Sequence, residues 1–158
     1  MKKINLVILC LFFVVTLTSC THHIADTNGK DDFSLTTIPV QNIVDGNDCI
    51  KRGAVKIQKG KSGVIKVKKF SGVDTLHKFQ LNSASLHLEI DPKVNSGNMK
   101  LLLCTDNEVV SDILLNNGPQ VIDIPVSADT IYLKVGGESA NFYIDYEYEI
   151  TMSKGIYI

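Results

Sequence analysis

Four cysteines and four histidines carry the most reactive side chains, and their spacing limits the chemistry that the chain can perform. They are Cys10, Cys20, Cys49, Cys104, His22, His23, His77 and His87. A thiol can be acylated, oxidised or bound to zinc, and an imidazole can bind metal or transfer protons. The chain contains no Cys-x-x-Cys pair, no Gly-x-Ser-x-Gly elbow, no His-Glu-x-x-His motif and no Gly-rich phosphate loop. We therefore expect neither an enzyme nor a bound cofactor.

The two histidines far from the N-terminus do not form a pair. His77 and His87 lie on neighbouring predicted strands, residues 76–82 and 85–91, joined by a two-residue turn at Ser83-Ala84. In that register His77 points to the same side as the apolar residues of its strand, and His87 points to the opposite side. A shared metal or catalytic site is therefore not expected, and His77 is predicted to lie at the margin of the core.

The N-terminus has the composition of an export signal. A basic start, Met1-Lys2-Lys3, precedes an almost wholly apolar stretch at residues 4–17. The following Leu17-Thr18-Ser19-Cys20 resembles the lipobox of bacterial lipoproteins, in which a peptidase cuts before the cysteine and the cysteine carries the lipid. The resemblance implies that Cys20 bears fatty acyl chains such as palmitate, which hold the protein to a membrane. The alternatives are an ordinary signal peptide with a chance cysteine and an uncleaved anchor helix.

This reading divides the chain into three parts. Residues 1–19 are the predicted signal peptide, residues 20–33 are the lipidated cysteine with a flexible tether, and residues 34–158 are the folded domain. The tether is polar and cannot pack a core, and the adjacent His22 and His23 within it lack a third metal ligand. Because Thr21 rather than Asp follows the cysteine, the resemblance implies the outer membrane in a Gram-negative cell and the cell surface otherwise.

Two cysteines remain in the predicted domain after export. Cys49 and Cys104 form an even pair in a compartment that permits oxidation, so a disulfide between them is one prediction. Such a bridge closes a long loop and stabilises a fold by up to about 4 kcal/mol. Two separate thiols, buried as small apolar side chains, are the alternative that the sequence leaves open.

The domain has the pattern of an all-β fold. Short apolar or alternating runs are separated by Gly, Asn, Asp, Ser and Pro, which is typical of a β-sandwich or barrel. The predicted strands are residues 36–43, 53–59, 63–70, 76–82, 85–91, 99–105, 108–115, 120–126, 130–135 and 141–152. Pro39 favours an edge position for the first, and Gly60-Lys61-Ser62 joins the next two as a hairpin. Gly136-Gly137-Glu138-Ser139 is the predicted turn before the last strand, whose long alternation predicts a central position.

Several of these segments are similar to the bacterial pre-peptidase C-terminal domain. They are Asp74-Thr75-Leu76-His77-Lys78-Phe79-Gln80-Leu81, Ser85-Leu86-His87-Leu88-Glu89-Ile90, Gly97-Asn98-Met99-Lys100-Leu101-Leu102-Leu103, Thr130-Ile131-Tyr132-Leu133-Lys134-Val135-Gly136-Gly137 and Phe142-Tyr143-Ile144-Asp145-Tyr146. The last two look like the closing Tyr-rich hairpin of that family. The resemblance implies a jelly-roll-like antiparallel β-sandwich of about 8–10 strands that acts as a non-catalytic binding or processing module. The chain departs from the family at Lys100, where an acidic residue is common, and in carrying no peptidase.

Charge is distributed unevenly along the chain. Residues 51–100 contain eleven basic and three acidic side chains, whereas residues 101–158 contain two and nine. Because the net charge is only −1, the sequence predicts no general attraction to nucleic acid. The predicted hairpin concentrates lysines that alternate with apolar residues and so project from one face of a ribbon. They are Lys56, Lys59, Lys61, Lys66 and Lys68.

These lysines have two interpretations. They can bind a polyanion such as lipid headgroups, or they can protect an edge hairpin from aggregation, which is the favoured interpretation.

The segment Asp45-Gly46-Asn47-Asp48 is interpreted as a turn in preference to a calcium loop, because the longer series of ligands of an EF-hand is missing.

The sequence therefore predicts a lipid-anchored envelope protein with a non-catalytic β-sandwich binding module. The predicted partners are the membrane, through the lipid on Cys20, and an envelope protein or polyanion. The alternative function is an inhibitor or accessory subunit of an exported enzyme such as a peptidase.

Overall fold

Antiparallel strands make up most of the chain, as the alternating apolar pattern predicts. The computed structural model describes residues 37–125 and 128–152. These residues form one short helix, α1, and seven strands, β1 to β7. Their bounds are α1 Val40–Asp45, β1 Cys49–Arg52, β2 Val55–Lys59, β3 Ser62–Gln80, β4 Ala84–Cys104, β5 Val109–Ile113, β6 Gln120–Ile124 and β7 Thr130–Met152. The pairings among these strands are all antiparallel, so the prediction of an all-β fold is confirmed.

The last strand is the centre of the sheet. The strand order is β1-β3-β7-β4-β5, with β2 also paired to β3 and β6 also paired to β4. The prediction that the last strand is central is therefore confirmed. The predicted hairpin between residues 76–82 and 85–91 is wrong, because these segments belong to β3 and β4, and each pairs with β7 instead. The amides of Leu81 and Asn82 donate to the Asp129 carbonyl, which directs the chain away from a tight hairpin.

Three strands are longer than predicted, and this explains why seven strands replace the expected 8–10. In β7 the chain continues through Gly136-Gly137-Glu138-Ser139 without a turn, so the predicted closing hairpin is a single strand. The glycines are required by packing. A Cβ at Gly136 would lie 2.5 Å from Ile43 Cδ1, and one at Gly137 would lie 3.0 Å from Phe70 Cδ1. Gly therefore marks a close approach here, as it commonly does within strands.

The long strands fold back on themselves. Phe79 of β3 pairs with Ile131 near the start of β7, yet its ring centroid lies 5.0 Å from that of Tyr148 near the end of β7. A straight strand would separate Ile131 from Tyr148 by about 56 Å at 3.3 Å per residue. The two halves of the sheet must therefore face each other. The pairing of β3 with β7 has register shifts between Val67 and Phe70, between Phe70 and Gly72 and between Thr75 and His77, and irregularities of this kind bend strands. The jelly-roll-like order of strands stays a prediction.

The apolar core lies between these two halves. In β7, Phe142, Ile144 and Tyr146 are buried, whereas Asp145 and Glu147 are exposed, as the alternation predicts. Many other large members of the core lie on β3 and β4. They include Ile65, Phe70, Phe79, Leu86, Leu88, Ile90, Met99, Leu101 and Leu103. A one-residue slip in β7 would place carboxylates in this core, so the register is strongly determined.

Helix α1 occupies part of the segment that was predicted to be the first strand, residues 36–43, so that prediction is wrong. The helix begins directly after Pro39, and Gln41 Nε2 donates to Asp45 Oδ1 at 2.9 Å, one turn later. Ile43 is fully buried and packs with Val73 and Leu102 in a second, smaller apolar cluster. The helix therefore covers an outer face of the sheet.

A buried lysine fixes the C-terminal end of this helix. Lys134 of β7 is only 8% exposed, and its Nζ donates to the carbonyls of Val44 and Gly46. The carbonyls at a helix end have no partner within the helix, so a cation there both completes hydrogen bonds and complements the helix dipole. Lys134 alternates with the core residues Leu133 and Val135, and α1 buries it from the other side.

The hairpin between β2 and β3 is confirmed. Lys59 pairs with Ser62 across Gly60-Lys61, and Gly60 has a φ of 60°, which Gly adopts without strain. This turn sets the register of the lysine-rich strands, and therefore decides which of their side chains share a face.

Candidate functional site

One outer side of the folded sheet is exposed, and we call it the open face. It is formed by outward side chains of β3, β4 and β7, opposite to the core side of the same strands. Its central members are Val64, Lys66, His87, Glu89, Asp91, Lys93, Tyr143, Asp145, Glu147 and Glu149. Helix α1 packs on the other half of β3 and β7, through Val73 and Gly136, and leaves this face uncovered.

Like charges lie directly opposite each other on the open face. Glu89 of β4 pairs with Glu147 of β7, and Asp91 pairs with Asp145. Directly opposed like charges destabilise a sheet. Lys93 Nζ offsets one of them, because it lies 2.8 Å from Asp91 Oδ2. The four carboxylates border a shallow depression of about 270 Å³, and the Oδ1 atom of Asp91 is buried there without a hydrogen-bond partner.

His87 lies beside this acidic group, next to Glu89 on the open face. Its Nδ1 lies 2.6 Å from Asp123 Oδ1 on β6, and its Nε2 lies 3.6 Å from Glu89 Oε1. The hydrogen bond with Asp123 raises the pKa of the imidazole, with a smaller contribution from Glu89. The exposed ring therefore holds its proton to a higher pH than usual, and its charge partly neutralises the carboxylates around it, including Glu149 directly opposite.

His77 has the opposite environment. It is only 8% exposed and lies among the rings of Phe79, Tyr146 and Tyr148, with Nδ1 3.3 Å from the Tyr146 hydroxyl. Burial, followed by the positive charge of Lys56, lowers its pKa from 6.5 to about 4. His77 was predicted to lie at the margin of the core, and the structure buries it among aromatic side chains of the core, away from the exposed His87.

The lysines of the β2–β3 hairpin do not share one face, contrary to the prediction. Lys56 pairs with the buried Ile65, so it points to the core side, where its Nζ donates to the Leu76 carbonyl at 2.6 Å. Lys66 pairs with Val55 and points outward. The others named in the sequence as polyanion contacts are all exposed. They are Lys59, Lys61 and Lys68.

Apolar side chains are exposed along the same edge of the sheet. Val55 and Ile57 of β2 are 51% and 61% exposed, and Ile50 of β1 is 72% exposed. Sequence analysis missed them because the alternation of β2 is typical of a buried strand. The two-residue turn at Gly60-Lys61 is the feature that determines their exposure. It places Ile57 opposite Val64 and Lys56 opposite Ile65, so the apolar sets of the two strands cannot both face the core.

The remaining candidate residues have structural roles. Cys49 and Cys104 are free thiols, which was the second of the two alternatives, and burial raises the pKa of both. Their strands, β1 and β4, are separated by β3 and β7 in the sheet order.

In the predicted turn, Asn47 Oδ1 accepts a hydrogen bond from the Thr75 amide. Within residues 37–125 and 128–152, no group of three or more His, Cys, Asp or Glu side chains is arranged to hold a metal ion.

Cys20, His22 and His23 lie outside the described residues, as do the predicted signal peptide and most of the tether. In the part of the chain that the structure describes, no helix has the length and apolar character to cross a membrane.

No family model and no curated protein matches this chain. The resemblances to bacterial lipoproteins and to the pre-peptidase C-terminal domain therefore stay predictions from the sequence.

Proposed function

We propose that the protein is a lipid-anchored component of the cell envelope whose β domain binds another envelope molecule without catalysing a reaction. The lipobox-like Leu17-Thr18-Ser19-Cys20 supports the anchor. The open face supports binding, and the opposed pairs Glu89–Glu147 and Asp91–Asp145 are the observation that carries this proposal.

These pairs are informative because they oppose folding. Like charges directly opposite each other on two strands destabilise a sheet, whereas an opposite-charge pair stabilises it by about 0.2–1 kcal/mol. Proteins retain such local conflicts mainly where function requires them. Because the carboxylates are on an open surface and not in the core, the group that best compensates them is a cationic part of a binding partner.

Photo-crosslinking in native membranes tests binding at the open face. A photoreactive residue at Glu147 of the full-length protein is expected to give a discrete adduct with one partner. The matched control is the same residue at Lys78, which is exposed on the other half of the sheet. Adducts that are the same from both positions, or absent from Glu147, would contradict the proposal.

Fatty-acid labelling tests the anchor. Cys20→Ala removes the only thiol of the lipobox-like segment, so the variant is expected to lose the label completely and to leave the membrane fraction or remain as precursor. Cys49→Ala serves as the control and is expected to be labelled as strongly as the wild type. Equal labelling of Cys20→Ala would exclude acylation at this residue.

The alternative, an inhibitor or accessory subunit of an exported enzyme such as a peptidase, is favoured by a different observation. Strand β2 is an exposed sheet edge, and proteins can bind extended segments of other proteins by pairing with them at such an edge.

A further inference from the structure

We propose that β2 accepts an acidic, extended segment of a partner protein as an additional antiparallel or parallel strand. Among the described strands, β2 pairs only with β3, so one row of its backbone amides and carbonyls faces outward. All five of its residues are exposed. An unpaired row of this kind is a template for another strand. This site lies at the sheet edge, on the same side as the open face, and β3 separates it from the carboxylates of that face.

The side chains of β2 define which segment fits. Val55 and Ile57 project to the outer side together with the partly buried Val64, and form an apolar strip at the edge. A partner strand presents every second side chain to this strip. Apolar residues at those positions would cover Val55 and Ile57, which otherwise remain in water. Partner specificity therefore comes from alternate apolar side chains, and affinity comes partly from backbone hydrogen bonds.

The positive charge around β2 indicates that the partner segment is acidic. Residues 48–74, which include β1, β2 and the first half of β3, contain eight basic and two acidic side chains, and one of the acidic ones, Asp74, is paired with Lys51 at 2.7 Å. An acidic strand is therefore attracted, and a second copy of the same edge is repelled. Lys56 donates to the Leu76 carbonyl, so the exposed lysines that attract an acidic segment are Lys59, Lys61, Lys66 and Lys68. The apolar strip beside them favours a strand with alternate apolar side chains over a polyanion without apolar groups.

A second edge strand provides an internal comparison. Strand β6 pairs only with β4 among the described strands, and its Val121 is 59% exposed, against 61% for Ile57. The charged side chain next to it on the same side is Asp123, so this edge is acidic. The two strands have the same length and a comparable exposed apolar residue, but opposite charge.

The test uses full-length protein in detergent micelles and a fluorescent seven-residue peptide in which Glu and Val alternate. The peptide is expected to bind saturably, and Ile57→Asp is expected to weaken binding by about tenfold or more. Val121→Asp adds the same charge at the acidic edge and is expected to leave the affinity unchanged. A peptide with Pro at its centre lacks one amide and cannot continue a strand, so it is expected to bind more weakly.

Hydrogen exchange makes the test independent of the variants' stability. On the wild-type protein, the peptide is expected to slow amide exchange in residues 55–59 and to leave β6 unchanged. Equal binding to Ile57→Asp and Val121→Asp, no protection of β2, or equal binding of a Lys–Val peptide would overturn the proposal. Binding to anionic phosphatidylglycerol vesicles that is lost in Lys66→Glu, without peptide binding, would assign the edge to a lipid surface instead.

Failure of this inference would leave the proposed function standing. A specific crosslink from Glu147 supports binding at the open face whether or not β2 binds the peptide. Conversely, peptide binding to β2 with no crosslink from Glu147 would exclude the open face and keep the edge site.

Discussion

A single buried imidazole makes the stability of the fold depend on pH. His77 is held neutral among aromatic rings, with a pKa of about 4 in place of the usual 6.5. Between these values the unfolded chain binds a proton that the folded chain does not. The stabilisation linked to His77 is therefore complete above pH 6.5 and is lost as the pH falls towards 4, at a cost of about 3 kcal/mol.

His77→Phe should remove this dependence. The variant keeps a planar ring among Phe79, Tyr146 and Tyr148 but cannot accept a proton, so its melting temperature should fall less than that of the wild type between pH 6.5 and 4.5. Thermal melts at several pH values measure this. His87→Gln is the control, because that ring is exposed and its raised pKa acts in the opposite direction. An unchanged pH profile for His77→Phe would show that other groups control acid unfolding.

At the scale of secondary structure, strand β7 has one side buried in the core and one side exposed on the open face. Ile144 is fully buried, and Ile144→Ala should cost about 2–5 kcal/mol because it leaves a cavity between the two halves of the sheet. Glu147→Ala, three residues later on the open face, should change stability by less than about 0.5 kcal/mol. Chemical denaturation of the two variants gives this comparison directly. A larger loss for Glu147→Ala would contradict the assignment of the two sides.

The opposed carboxylates on this strand make a stabilising substitution possible. Glu147→Lys converts the pair with Glu89 into an attractive one and should raise the free energy of unfolding by about 0.2–1 kcal/mol. Glu147→Gln should give an intermediate value. Denaturant midpoints measure both, and a decrease on Glu147→Lys would show that the repulsion at this position is already compensated within the fold.

One buried polar contact joins helix α1 to β7, in addition to the packing of Ile43. Lys134→Met keeps the apolar stem of the side chain but removes the hydrogen bonds to the Val44 and Gly46 carbonyls. Leaving such buried groups without partners costs about 1–3 kcal/mol. We expect faster hydrogen exchange in α1, with β6 unchanged as the reference. Similar acceleration in both elements would indicate global destabilisation instead of release of the helix.

The sequence was most informative where a residue pattern depends on local contacts. The alternation of β7 predicted which of its side chains are buried, because neighbouring residues in a strand point in opposite directions. Gly60-Lys61-Ser62 predicted the hairpin between β2 and β3 but not its register, since the observed turn is only Gly60-Lys61. The helix was missed because Ile43 and Lys134 are buried by contacts between segments that are far apart in the chain. The predicted turn at Gly136-Gly137 is instead a close packing contact within β7, since Gly is typical of both.

For the whole molecule, the sequence predicted the all-β class but not the layout of its surfaces. The lysines were recognised, but their division between two faces follows from the pairing of Lys56 with Ile65. The carboxylates of the open face come from β4 and β7. They lie opposite each other because of the pairing between these strands, which joins residues more than fifty positions apart in the chain. Such long-range pairing leaves no short motif, so both candidate surfaces required the structure.

The central position of the last strand has a consequence for the timing of folding. In the described chain, β3 and β4 do not pair with each other, and β7 is their common neighbour. A polypeptide that crosses a membrane N-terminus first would deliver its middle strands while their shared partner is still on the other side. In such a polypeptide the pairing of β3 and β4 with β7 waits until residues 130–152 emerge, so the non-local part of the sheet assembles last.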